Sequence, residues 1–265
     1  MIPGNFLQLV FPNLESATHC SINRMAYLLL EKNFPNINLP HWKKINYFEG
    51  LRGVDGLWLR SKHITSRSTF NPNNSQGSGI KEVGFQYGQL VKALKNGKSE
   101  EIARRSAFVA HVITDVCTPP HQHGKKIPIN FQRWFLWKAK NDWQDDASNH
   151  AMFEVSSAFR ILFKNAKLKL NKKVEFSNLR AGREKKIKLF QKKLINQVVR
   201  IEKLGLYHEY KKKGWTRNIE ESMTKKLLPE VAVLVASAWY MAMAESKQLA
   251  RTNLSVTRNK PLIGS

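Results

Sequence analysis

An all-α fold is what this sequence predicts, on three observations. Apolar residues recur at three- and four-residue spacing along several long segments, no segment alternates apolar and polar residues as a half-buried strand would, and the punctuation between segments is that of helices. The 265 residues are 42% hydrophobic, with 7 Trp and 14 Phe, which is enough for a substantial core and too apolar for a disordered chain. Neither an internal repeat nor a linker interrupts the pattern. One all-α, multi-helical domain over residues 1–250 is therefore expected, followed by a polar, disordered tail over 251–265.

Taken in order, a first helix is expected over residues 16–32, where Ile22, Met25, Ala26, Leu29 and Leu30 fall on one face. Pro35 and Pro40 bound a loop behind it. Residues 64–79, rich in Ser, Thr, Asn and Gly, read as a long loop. A helix over 80–95 stops at Asn96-Gly97. Ser99 is expected to cap the next one, with Glu100 and Glu101 in its positively polarised first turn. That helix runs to Thr118 and ends at Pro119-Pro120, because proline removes a donor and restricts the residue before it. Further helices are expected over 145–166, 180–204 and 219–247. The last two carry Lys/Arg-rich faces suited to solvent, and the run Val231-Ala-Val-Leu-Val-Ala236 suits a core.

The formal net charge is +24, from 44 basic and 20 acidic residues. Such a surface favours polyanions, whether nucleic acid, anionic lipid headgroups or phosphorylated substrates. A solubility role accounts for it equally well, and charge says nothing about reaction chemistry. Two cysteines, Cys20 and Cys117, exclude a disulfide framework and a Cys-rich zinc module. Two buried, inert thiols are expected in preference to a single disulfide. No stretch approaches the ~20 apolar residues of a membrane span. Residues 1–13 hold the apolar patch Phe6-Leu-Gln-Leu-Val-Phe11 without a basic stretch before it, so no export signal is read there and the compartment stays open.

Chemistry concentrates in His111-Val-Ile-Thr-Asp115-Val-Cys-Thr-Pro-Pro-His121. His111 and Asp115, four apart on a predicted helix, project from one face and can share a metal ion. The proline pair breaks the helix and lets His121 return toward the same centre. His150 and Glu154 have the same i, i+4 relation on another predicted helix. Nitrogen and carboxylate oxygen donors from two helices suit zinc. Taken singly, such a pair is more often a surface ion pair, and His121 beside His123 has a simple polar turn as its alternative reading. Their company shifts the balance: His19 lies on the first helix, and Asp55 and His63 follow it, Asp55 being the only Asp before His111.

The order His, Asp, His, then His-x3-Asp-x5-His with proline before the last His, then His-x3-Glu, resembles the zinc-dependent phospholipase C family. It also resembles the related fungal single-strand-specific zinc nucleases. Phe153-Glu154 is similar to the phospholipase branch, since the nuclease branch usually has Asp there. The resemblance covers about residues 18–154. It implies the family's all-helical fold and two or three zinc ions. One would be held by Asp55, His63, His111 and Asp115, and a second by His121, His150 and Glu154. A third would use His19, the bridging carboxylate of Asp115 and the amino-terminal residue. In the family that residue is a tryptophan exposed by removal of a leader, the family being usually secreted. Here no Trp precedes Trp42, and the gap from Asp55 to His63 is shorter than in the family. The third site is thus open among empty, weakly filled and completed by another amino terminus.

The resemblance implies direct attack of an activated water on a phosphate diester, with Asp55 as a catalytic proton acceptor. No G-x-S-x-G elbow or phosphate-cradling Gly-rich loop suggests another route. Three functions compete. The first is a phospholipase C-like phosphodiesterase acting on phospholipid headgroups, with an anionic membrane surface as partner. The second is a nuclease of single-stranded nucleic acid. The third is a non-catalytic basic metal-binding protein that binds polyanions through clusters such as Lys211-Lys212-Lys213 and Arg183-Glu-Lys185-Lys186. The aromatics Phe131, Trp134 and Trp137 would be either a core stripe or the lining of a lipid or base pocket.

Overall fold

Helices account for nearly all regular structure in the computed structural model, which describes residues 17–35, 37–49, 68–123, 153, 156–157 and 183–246. Among the described residues the fold is all-α, and extended pairing is limited to one antiparallel bridge between Asn71 and Gln76. Helix α1, Ala17–Asn33, buries the expected stripe, with Ile22, Ala26 and Leu30 wholly inside. A short α2, Trp42–Tyr47, follows Pro40, its first turn held by the His41 ring, which accepts from the Lys43 N–H. At six residues it is too short for periodicity to reveal it.

Helices α3, Gly79–Asn96, and α4, Ser99–Cys117, form an antiparallel pair around the expected Asn96-Gly97 stop. Gly97 takes φ 73° and returns its N–H to the Ala93 carbonyl, a left-handed cap that favours glycine. Ser99 departs from its expected role. Lys98 occupies the cap position, and Ser99 is the first helical residue, its hydroxyl accepting from Lys44 Nζ at 3.1 Å. Glu100 and Glu101 do sit in the first turn and pair with Arg104 and Arg105 one turn on. The helix ends at Cys117, and Pro119–His123 continues as one 3-10 turn.

The carboxyl-terminal half contributes α5, Arg183–Lys203, α6, Leu206–Lys213, α7, Arg217–Ser222, and α8, Leu228–Glu245. A π turn, Met223–Leu227, joins α7 to α8, so the segment expected as one helix is continuous but locally widened. Pro229 supplies the reason: its ring clashes with the carbonyl four residues earlier, and the Leu228 N–H reaches back five residues to Met223. Helix α6, absent from the sequence reading, is only eight residues long. Its Lys211, Lys212 and Lys213 are exposed in the last turn, where the helix dipole favours cations.

Helix α8 packs against α1, α3, α4 and α5. The segment Arg217–Glu245 is the one helical stretch among the described residues long and apolar enough to cross a membrane, yet most of its apolar window is buried in the fold. Ala232, Ala236, Ala238 and Ala242 let neighbouring helices approach closely, and fully buried Trp239 fills the space between them. The Trp239 indole donates to the Ser106 carbonyl of α4 at 3.0 Å, and the Tyr87 hydroxyl of α3 bonds Glu245 at 2.9 Å. Cys20 and Cys117 form no disulfide with each other; Cys117 is buried as expected, whereas Cys20 is only half-buried.

Gly79, the first residue of α3, leaves no room for a side chain against α4. A Cβ there would lie 2.4 Å from the Val116 side chain and 3.0 Å from the Thr69 carbonyl oxygen. Val116 is wholly buried and β-branched, so it has little freedom to retreat. Gly79→Ala is expected to lower stability by about 1–3 kcal/mol through overpacking, read as a shift of the urea midpoint at unchanged slope. An unshifted midpoint would show that the α3–α4 contact yields freely.

The expected helix over 145–166 lies outside the described residues except for Phe153, Ser156 and Ser157, which are helical. The tail over 251–265, the patch of residues 6–11 and the aromatics Phe131, Trp134 and Trp137 lie outside them as well.

Candidate metal centre

Four of the eight residues singled out as metal ligands fall within the described structure, and it brings all four together. His111 and Asp115 share the inward face of α4, with His111 Nε2 3.1 Å from Asp115 Oδ2. Both are buried. The chain beyond α4 then folds back on the helix end. The Thr118 N–H donates to the Asp115 carbonyl at 2.8 Å, and the Thr118 hydroxyl donates to the Thr114 carbonyl at 2.8 Å. The His121 N–H bonds the Thr118 carbonyl at 3.0 Å. Phe70 of the preceding loop donates its N–H to the His121 carbonyl at 3.3 Å. These bonds fix the turn and set His121 Nε2 3.8 Å from Asp115 Oδ1.

His19 enters from α1. Its ring stacks on that of His111 with centroids 4.6 Å apart and planes 17° apart, and its Nε2 lies 3.4 Å from Asp115 Oδ1. Asp115 thus faces three imidazoles. Burial by itself would push its carboxyl up, but the imidazoles of His111 and His121, with His19 behind them, outweigh burial and hold it far below the ordinary carboxylate range.

The buried group of His19, His111 and Asp115 could hold a metal ion, its ligand atoms all lying within 4.8 Å of one another. Zinc at about 2.0–2.1 Å from each donor of a tetrahedron separates those donors by roughly 3.3 Å. The 3.1 Å and 3.4 Å spacings from Asp115 to the two Nε2 atoms match that separation. His19 Nδ1, buried and without a hydrogen bond of its own, lies on the opposite edge of its ring.

That opposite edge reveals a residue the sequence reading missed. Glu49, just past α2, is 1% exposed, and its Oε1 lies 2.8 Å from His111 Nδ1 and 3.4 Å from His19 Nδ1. Asn23, one turn beyond His19 on α1, donates to the other oxygen of Glu49 at 3.1 Å. The available signal was indirect: His19 and Asn23 are polar residues on the otherwise apolar stripe of a buried helix, and such groups need partners. Asp55, His63, His150 and Glu154 lie outside the described residues. No family model matches the chain, and neither a curated protein nor a solved structure is similar to it at a significant level.

Proposed function

We propose that the protein is a zinc-dependent phosphodiesterase, acting by preference on phospholipid headgroup esters in the manner of a phospholipase C. The observation that carries this reading is the convergence of His19, His111 and His121 on one buried carboxylate, Asp115, within about 4 Å. Two imidazole nitrogens and a carboxylate oxygen are borderline donors suited to zinc and poorly suited to calcium or magnesium, which take oxygen ligands. When bound, zinc supplies Lewis acidity: it brings the pKa of water toward 7 and offsets the charge of phosphoryl oxygens.

The chain's own part is to fix the donors before substrate arrives. Asp115 is held by the helix that carries His111, and His121 by the 3-10 turn that proline imposes, so neither needs to reorganise. Exposed lysines on α5 and α6 raise the local concentration of anionic substrates. The phospholipid preference rests on the resemblance of the Phe153-Glu154 pair to the phospholipase branch. Hydrolysis of single-stranded nucleic acid is the second reading, favoured by the net charge of +24.

Protein prepared without chelator is expected to carry at least two zinc ions per chain, since the ligand set carried over by resemblance serves two sites before any third. A phosphatidylcholine or phosphatidylglycerol emulsion should be cleaved faster than a single-stranded oligonucleotide, and chelator should abolish the activity. Cleavage of the oligonucleotide alone would move the assignment to the nuclease branch. Failure to take up zinc after supplementation would refute the zinc phosphodiesterase. Zinc without cleavage of either substrate would favour the non-catalytic, polyanion-binding protein.

A further inference from the structure

The two stacked imidazoles of His19 and His111 are clamped between two buried carboxylates, one on each edge. Asp115 meets both Nε2 atoms, at 3.4 Å and 3.1 Å, whereas Glu49 meets both Nδ1 atoms, at 3.4 Å and 2.8 Å. The edges are not equivalent. On the Asp115 edge a third imidazole, His121, presents its Nε2 from 3.8 Å, so nitrogen and oxygen donors accumulate there at ligand-to-ligand spacing. On the Glu49 edge the 2.8 Å contact to His111 is a hydrogen bond, and the second oxygen of Glu49 is already engaged by the Asn23 amide at 3.1 Å.

We infer that Glu49 is the positioning residue of the metal centre, accepting the Nδ1–H of His111 and facing His19 Nδ1 across 3.4 Å, so that both rings turn their Nε2 atoms to the metal. This rests on the reading of the cluster as a metal site and adds to it the residue that sets which nitrogen binds. Where Nδ1 carries the ring proton of His111, the Glu49 oxygen 2.8 Å away accepts it. The ring's remaining nitrogen is then the ligand, made more basic by the anion behind it. Asn23 holds the Glu49 carboxylate in place, and because His19 and Asn23 lie one turn apart on α1, a single helix carries both a ligand and the anchor of its orienting carboxylate.

Three proteins are compared: wild type, Glu49→Gln, and Asn23→Ala, which keeps the carboxylate and removes only its anchor. Zinc affinity is measured by competition with a chromophoric chelator. Nitrogen-15 spectra of the imidazoles are recorded on metal-free protein and after loading with cadmium, and circular dichroism reports the fold. Glu49→Gln should weaken zinc binding by about 10–100-fold, the usual cost of losing such a partner, and Asn23→Ala by less. In the wild type, His111 should carry a proton on Nδ1 without metal and couple to cadmium through Nε2. Wild-type affinity in folded Glu49→Gln, or cadmium coupling to Nδ1 of His111, would overturn the role of Glu49. Should Glu49→Gln fail to fold, Asn23→Ala and the wild-type spectra decide the question. No metal uptake by wild type would count against the metal centre itself, and the protonation of His111 Nδ1 in metal-free protein still tests Glu49.

Discussion

Asp115→Asn is expected to empty the metal centre and abolish hydrolysis while leaving α4 intact. The carboxylate it removes faces three imidazoles, Oδ1 toward His19 and His121 and Oδ2 toward His111, and it is the acidic member of the His19, His111 and Asp115 group that could hold an ion. Zinc affinity should therefore fall by more than the roughly 10–100-fold that loss of an orienting partner costs. Asn costs a helix interior about the same as Asp, so circular dichroism should be unchanged. The side-chain amide fills the same space but brings no charge and turns one acceptor into a donor. Near wild-type turnover, or zinc retained at wild-type affinity, would remove Asp115 from the centre and leave the spacing to chance.

Trp239→Ala is expected to produce the largest loss of stability of any single substitution considered. The ring is wholly buried where α8 meets α4, and its indole N–H satisfies the Ser106 carbonyl at 3.0 Å. Truncation opens a cavity at a cost of about 3–5 kcal/mol. It also removes the indole's bond to the Ser106 carbonyl, a further loss of about 0.5–1.5 kcal/mol, since that carbonyl keeps its own helical partner. Against a typical total of about 5–15 kcal/mol, this leaves a marginal fold. Urea unfolding followed by circular dichroism measures it, and a loss below about 1 kcal/mol would contradict the placement of this ring at the heart of the core.

The expected effects differ because the two residues answer to different physics. Asp115 is buried at a desolvation cost that the surrounding imidazoles outweigh, and the part proposed for it lies in what it binds. Trp239 has no bearing on chemistry, and its burial stabilises the fold directly. Measuring zinc affinity and unfolding on both variants separates a residue of the site from a residue of the scaffold.

The sequence by itself determined the helical class, the long helices α1, α3, α4, α5 and α8, and the pairing of His111 with Asp115, because each depends on interactions within a few residues. Periodicity of 3.6 puts residues four apart on one face wherever the helix finally packs, and Pro119-Pro120 must end α4 wherever that end lies. The short helices α2 and α6 escaped because six or eight residues carry too few repeats to register. Ser99 was misplaced by one residue, since cap and first-turn positions differ only in backbone angles that propensity does not fix. Glu49 had no local signature at all. It lies 62 positions from His111 and 26 from Asn23, and only the packing of α2 against α1 and α4 brings them together. The contact between Glu49 and the Nδ1 edge of His111 belongs to the tertiary structure too, because it joins distant elements and owes nothing to spacing along one helix.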